Sequence, residues 1–252
     1  MVAPNGARLG KADHPAIPIT LDEVLATASE CHAAGADGLH LHLRDKHGRH
    51  ILDAGLYREA LAELSSVVPN MDVQITTEAV GLYSSEHQRK VALNSGARLV
   101  STSIRELMAD SDAQTTSCFF NDCKEAGRQL QVILYDVADL MLLKKTIPEA
   151  SFNSTCLQIL FVLGRYSANR DSHPDDMQPF LDWMKQADWR PDWAICAFGR
   201  GETACLEKAH SEGGKLRVGF ENSLWASDGT QARDNAQRVS EIVKVMQEAA
   251  IN

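Results

Sequence analysis

At 252 residues, 44% of them hydrophobic, the chain is long enough to bury a sizeable core as one large domain or two small ones. A formal net charge of -9 argues against nucleic acid or an anionic membrane as partner, since neither attracts a net-negative body, although a local basic pocket remains allowed. No apolar run reaches the roughly 20 residues of a bilayer span, and Met1-Val2-Ala3-Pro4-Asn5 lacks the basic and apolar regions of a signal peptide, so a cytoplasmic location is expected.

In chain order, short apolar runs alternate with helix-like segments. Val2-Ala3 reads as the remnant of a first strand, ending at Pro4-Asn5-Gly6. Thr20 opens the first helix: Thr20 and Glu23 have the spacing of a capping box, and Gly35 stops the helix after Ala34. A strand over Asp37 to Leu43 follows, then a helix over Ala54 to Val67 closed by Pro69. Met71 to Thr77 is the third strand, Ser84 to Asn94 a helix ending at Gly96, and Ala97 to Thr102 the fourth strand. A helix over Gln114 to Ala126 meets Gly127, Gln129 to Tyr135 is the fifth strand, and Val137 to Lys145 is the helix before Pro148. Cys156 to Leu163 is apolar enough for a strand covered on both faces, as parallel sheets require. A polar loop over Gly164 to Pro174 precedes a helix carrying Phe180, Trp183 and Met184. Trp193 to Ala197, Glu202 to Ser211, Lys215 to Phe220 and Gln231 to Ala249 complete the pattern as strand, helix, strand and helix.

About eight strand–helix units, with no linker, low-complexity tract or solenoid repeat between them, predict one TIM (β/α)8 barrel domain over residues 1–252. An open doubly wound sheet competes, but it would be expected to carry a Gly-rich phosphate turn after its first strand, and Pro4-Asn5-Gly6-Ala7-Arg8 is not one. The six cysteines, Cys31, Cys118, Cys123, Cys156, Cys196 and Cys205, contain no C-x-x-C and are read as reduced packing residues. Trp183, Trp189 and Trp193 are read as packing around the sixth and seventh units. His14, His47, His50 and His173 lie in polar segments and are expected on the surface.

The chemistry concentrates in Gly38-Leu39-His40-Leu41-His42-Leu43-Arg44. Side chains alternate along a strand, so His40, His42 and Arg44 share one face. Two adjacent imidazoles are half of a metal site, and a catalytic zinc usually takes a third protein ligand and keeps one position open. Glu221 is the best third candidate: it closes the last apolar run, and in a closed barrel the eighth strand neighbours the first and the first neighbours the second. These ligand types suit zinc and leave iron(II) or manganese(II) open, the iron option bringing an oxygenase into view. Other polar residues fall at strand ends, where barrel active sites are built: Asn5 and Arg8 after the first strand, Thr76, Thr77 and Glu78 after the third, Ser101 and Ser103 around the fourth. Gly199-Arg200-Gly201 opens a helix, where backbone N–H groups and a guanidinium would favour an anion.

Together Asn5-Gly6-Ala7, the run Lys11 to Thr20, His40-Leu41-His42-Leu43-Arg44, Thr76-Thr77, Phe161-Val162-Leu163-Gly164 and Arg217-Val218-Gly219-Phe220-Glu221 resemble the β-keto acid cleavage enzyme family, over nearly the whole length. The resemblance implies a zinc-binding barrel, usually a homo-oligomer such as a dimer or tetramer. It also implies acyl exchange: a β-keto acid and acetyl-CoA become acetoacetate and a new acyl-CoA. Arg217 then matches the family's catalytic arginine, Thr76 its substrate-binding serine and Ser101 its threonine on the fourth strand.

Three positions depart from that pattern. Asn222 stands where the family commonly has an aspartate that moves protons, Ile133 where it has a glutamate, and Arg8 where an acidic residue meets the amine of an amino-keto acid. An amide accepts no proton near neutral pH, so Glu78 is the expected substitute base. Arg8 would prefer a carboxylate or neutral polar tail. The lost carboxylates leave two further readings: a metal-dependent aldolase or hydrolase that needs no coenzyme A, and a metabolite-binding relative with impaired catalysis.

Overall fold

The computed structural model describes residues 1–165 and 171–249. Of the expected polar loop 164–174, residues 166–170 therefore lie outside the described residues. The strands are β1 (Gly38–Leu41), β2 (Leu43–Arg44), β3 (His50–Ile51), β4 (Asp72–Thr76), β5 (Leu99–Ser103), β6 (Gln129–Leu134), β7 (Gln158–Leu163), β8 (Asp192–Ala197) and β9 (Lys215–Leu216). The helices are α1 (Leu21–Ala33), α2 (Ala54–Val67), α3 (Ser85–Asn94), α4 (Ile104–Leu107), α5 (Ala113–Glu125), α6 (Val137–Thr146), α7 (Glu149–Phe152), α8 (Gln178–Gln186), α9 (Glu202–Ser211) and α10 (Asn235–Ala249).

Seven strands form one curled parallel sheet in the order β1-β4-β5-β6-β7-β8-β9. The remnant first strand joins its two ends: Val2 makes parallel bridges to Leu39 on one side and Val218 on the other. His40 N donates to Val2 O at 2.8 Å, Ala3 N to Val218 O at 2.8 Å, and Glu221 N to Ala3 O at 3.0 Å. Three residues of backbone thus bring the histidine strand next to the glutamate segment, which is the barrel closure read from the sequence.

The alternation of side chains accounts for the uniformly apolar strands. Ile133, Leu160, Val162, Ala194, Cys196 and Phe198 pack inside the barrel. Their strand neighbours Val132, Leu134, Ile159, Phe161 and Ile195 pack outward with helix residues such as Leu140, Phe180 and Leu206. The Thr20 capping box is present: Glu23 N donates to Thr20 Oγ1 at 3.3 Å, and Thr20 N to Glu23 Oε2 at 3.1 Å. Trp183 and Trp189 pack on Phe152 at 6.0 and 4.7 Å and Trp193 lies 5.9 Å from Phe161, so these three are packing residues.

Several local expectations are corrected. The histidine strand does not run to Leu43 as one piece. It ends at Leu41, and Leu43–Arg44 turns into an antiparallel hairpin with His50–Ile51, with Gly48 (φ 75°) in the turn and the Asp45 carboxylate accepting from His47 N and Arg49 N. That hairpin buries His50. His14 is buried as well, its ring edge-on to Phe220 at 4.7 Å, while His47 and His173 are exposed as expected. Cys118 and Cys156 are exposed and so are not packing residues; all six thiols are free. The closing helix begins at Asn235, because Gln231 bridges Trp225 and the Asp234 side chain accepts from Gln237 N at the helix start.

Candidate functional site

At the C-terminal ends of the strands, His40 and His42 face each other with their Nε2 atoms 3.2 Å apart, and Glu221 Oε2 lies 3.6 Å from both. Each imidazole is 1% exposed. Among the described residues these three form the one cluster whose ligand atoms converge within 4.8 Å. Glu221 Oε2 is buried with no hydrogen-bond donor in reach. A buried carboxylate oxygen left bare costs free energy, so an orphaned oxygen aimed at two imidazole nitrogens fits a cation better than it fits a packed core. The donor set of two nitrogens and one oxygen suits zinc.

The surroundings keep the set ready. Burial, with the nearby Arg217 charge, holds the His40 imidazole well below its ordinary pKa, and burial does the same for His42, so both are neutral bases. Burial of Glu221 works against its charge, but the positive charge of its neighbours, Arg217 foremost, holds the carboxyl below the usual range. Arg217 Nη2 donates to Glu221 Oε1 at 3.2 Å and contacts Cys196 Sγ at 3.5 Å, while its Nε and Nη1 have no protein partner. Burial pushes the Cys196 thiol up to about 11, so it stays protonated. His50, missed in the sequence, lies 5.3 Å ring to ring from His42, and its Nε2 is 2.8 Å from Glu78 O. Burial pushes it down to about 4.

A cavity of about 360 Å³ adjoins this cluster, lined by Asn5, Arg8, Glu78, Arg165, Glu221 and Asn222 among others. Within it the Asn5 Nδ2 donates to Pro18 O and His42 O and so fixes the backbone of a candidate ligand, while its Oδ1 is buried without a partner. Glu78 is ion-paired to Arg165 at 3.1 Å, and burial, with repulsion from Glu221, raises its carboxyl to about 7. The Asn222 carboxamide is buried with neither atom hydrogen-bonded.

The remaining sequence candidates have partners within the protein, except Ser101, and Gly199 and Arg200 also line the cavity. Thr76 Oγ1 accepts from Glu78 N, Thr77 Oγ1 donates to Ser101 O, and Ser103 Oγ accepts from Glu106 N at the start of α4. Ser101 Oγ is buried without a partner. The Gly199 N–H is spent on Asn222 O and the Arg200 N–H on Asp171 Oδ1. The Arg200 guanidinium lies 3.4 Å over the Trp225 ring and donates to Gly229 O. Arg165, Trp225 and Gln74 were missed. Only Gln74 carried a signal, since it shares the inward face of its strand with Thr76.

A profile of the beta-keto acid cleavage enzyme family matches residues 1–252. A 3-keto-5-aminohexanoate cleavage enzyme of Fusobacterium nucleatum is 23% identical over 96% of this chain and 89% of its own. A 3,5-dioxohexanoate:acetyl-CoA acetone transferase of Paraburkholderia graminis is 24% identical over 97% and 88%. Among solved structures, the binary complex of ObcA with oxaloacetate superposes with a TM-score of 0.73 at 15% identity, over 94% of this chain. This chain spans 64% of the ObcA chain, and that likeness carries the fold alone. Among the described residues no helix is long and apolar enough to cross a membrane. The whole-length match makes the chain a member of the β-keto acid cleavage enzyme family and an enzyme of that kind.

Proposed function

We propose that this enzyme exchanges acyl groups between a β-keto acid and acetyl-CoA, giving acetoacetate and a new acyl-CoA, with zinc held by His40, His42 and Glu221. The observation that carries the reading is the orphaned Glu221 Oε2, 3.6 Å from two neutral imidazole nitrogens. Zinc in that position supplies Lewis-acid stabilisation to the negative charge that develops on the keto acid.

The protein's own groups supply the rest. Glu78, titrating near 7, removes a proton from the methylene between the ketone and the carboxylate. The resulting carbanion forms a bond to the thioester carbon of acetyl-CoA, and the C–S bond breaks to free the CoA thiolate. The thiolate then attacks the original ketone carbon, whose bond to the methylene carbon breaks. Glu78 returns its proton to that carbon, which leaves as acetoacetate. Arg217 offers Nε and Nη1, both without protein partners, to substrate oxygens while its Nη2 steadies Glu221. Asn222 orients substrate through a free carboxamide and moves no proton. Arg8 and Arg165 on the cavity wall favour a substrate tail that is anionic or neutral and polar.

The test is to incubate the zinc-loaded protein with acetyl-CoA and a panel of β-keto acids bearing carboxylate, neutral and ammonium tails, and to assay acetoacetate. No product across the panel would count against the reading. The aspartate-to-amide change at Asn222 supports a second reading, a CoA-independent aldolase or hydrolase on the same ligands, which product formation without any thioester would select.

A further inference from the structure

His40 is held from behind as well as from the site. Its Nδ1 lies 2.8 Å from Gln74 Oε1, and Gln74 Nε2 donates to Gln131 Oε1 at 3.2 Å. His40 and Gln74 are register partners across β1 and β4, and Gln131 reaches them from β6, two strands further round the sheet. Gln74 is 1% exposed. Gln131 opens onto a second cavity of about 700 Å³ at the N-terminal ends of the strands, lined also by Asp72, Gln158 and Leu216. The contacts therefore cross the barrel interior from the candidate metal site to the opposite end.

A carboxamide has two chemically distinct ends: its oxygen only accepts and its nitrogen only donates. Because Gln74 gives its nitrogen to Gln131, the atom it turns toward His40 is the oxygen, and the His40 proton sits on Nδ1. The lone pair is left on Nε2, the atom that faces His42 and Glu221. His42 differs, since its Nδ1 is buried without a partner. A pair of glutamines that merely satisfied each other in the core would have no need to end on an imidazole.

We infer that Gln74 and Gln131 are positioning residues, a two-amide relay across the barrel that sets the Nδ1–H tautomer of His40 and presents its Nε2 lone pair to the cation. The relay rests on the reading of His40 as a metal ligand, and outer partners of ligating histidines are worth about 10–100-fold in metal affinity.

Three substitutions separate the relay from simple packing. Gln74→Glu can only accept, so it preserves the Nδ1–H form. Gln74→Leu removes the contact. Gln131→Lys can only donate, so it reverses the Gln74 amide and moves the His40 proton to Nε2. The tautomer is read by 15N–1H NMR of the imidazoles in chelator-treated protein, with the His40 signals assigned by their loss in His40→Asn. Zinc affinity is read by competition with a chromophoric chelator. Gln74→Glu should match the wild type on both readouts. Gln131→Lys should show Nε2–H, and both it and Gln74→Leu should bind zinc about 10–100-fold more weakly. Should Gln74→Leu fail to fold, Gln131→Lys at the accessible end carries the test. An unchanged tautomer and unchanged zinc affinity in the folded variants would overturn the relay and leave the metal site standing. Zinc that does not bind the wild type would remove the metal site, and the tautomer shift in Gln131→Lys would then decide the relay by itself.

Discussion

Arg217 grips one oxygen of Glu221, its Nη2 3.2 Å from Oε1, and the other oxygen is left bare toward His40 and His42. The pair divides the carboxylate into a structural half and a chemical half. The arginine lowers the carboxyl pKa and fixes the side chain's rotation, so the free oxygen is both charged and aimed.

Removing the arginine should therefore harm stability and chemistry together. Arg217→Met leaves the Glu221 charge buried and unpaired, a change that costs about 3–5 kcal/mol when a buried pair loses one partner. Urea unfolding should report that loss, and acetoacetate formation should fall by at least about 100-fold because the two donors proposed to meet substrate oxygens go with it. Full activity in a folded Arg217→Met protein would remove the arginine from the reaction.

Glu78 makes the pH dependence specific. Its carboxyl is raised to about 7, above the value it has in the unfolded chain, so the folded state holds this proton more tightly. The stability that the protonated form contributes is full below the unfolded pKa, near 4.5, and is lost as the pH rises through about 7. Activity should run the other way, rising through about pH 7 as the base ionises. Glu78→Gln should abolish that rising limb and lessen the decline in stability between pH 4.5 and 7, both measurable by pH–rate and pH–melting profiles. A rising limb unchanged in Glu78→Gln would assign the base elsewhere.

These relationships were legible to different depths. The shared face of His40 and His42 follows from a period of two and needs nothing outside seven residues. Glu221 becomes their partner only through closure, and the eightfold strand count supplied that, although only Val2 and the adjoining backbone form the joining stave. The hairpin that buries His50 uses two-residue strands, too short for any periodic pattern, and its polar turn hides the burial. Arg200 reads as an anion site because its neighbours are glycines at a helix start, and it does line the cavity wall. Its stacking partner Trp225 lies on another loop, and no local pattern links the two. Arg165 carried no signal of its own, since what makes it part of the site is an ion pair with Glu78, 87 residues away.

The sign of the cavity wall predicts substrate preference. Arg8 is exposed at the mouth and lines the same cavity as Glu78 and Glu221. Arg8→Glu should move the preference from keto acids with a carboxylate tail toward those with an ammonium tail. An exposed charge reversal of this kind is worth about 1–2 kcal/mol in relative kcat/KM, roughly 5- to 30-fold. Competition between a dicarboxylate and an amino-keto acid in one reaction reads the ratio directly, and an unchanged ratio would place the tail away from Arg8.

Gly219 joins the fold to the site, and its replacement is the sharpest structural test. Its φ of 139° lies where L side chains are rarely found, and an added Cβ would come 2.5 Å from Ala3 O. That oxygen accepts from Glu221 N, and the carbonyl of Gly219 accepts from Asn222 N, so the backbone that closes the barrel also sets where the carboxylate begins. Gly219→Ala must push Ala3 and Glu221 apart or twist the peptide between them. Backbone strain of this class costs about 1–3 kcal/mol, and the steric contact with rigid backbone adds to it. Unlike an ordinary destabilising change, the substitution should also weaken zinc binding in the fraction that remains folded, because the His40–Glu221 distance rises with the displaced loop. Zinc titration at a temperature well below the variant's unfolding midpoint separates the two effects; a destabilised protein with undiminished zinc affinity would mean that the loop relaxes on its outer side and leaves Glu221 in place.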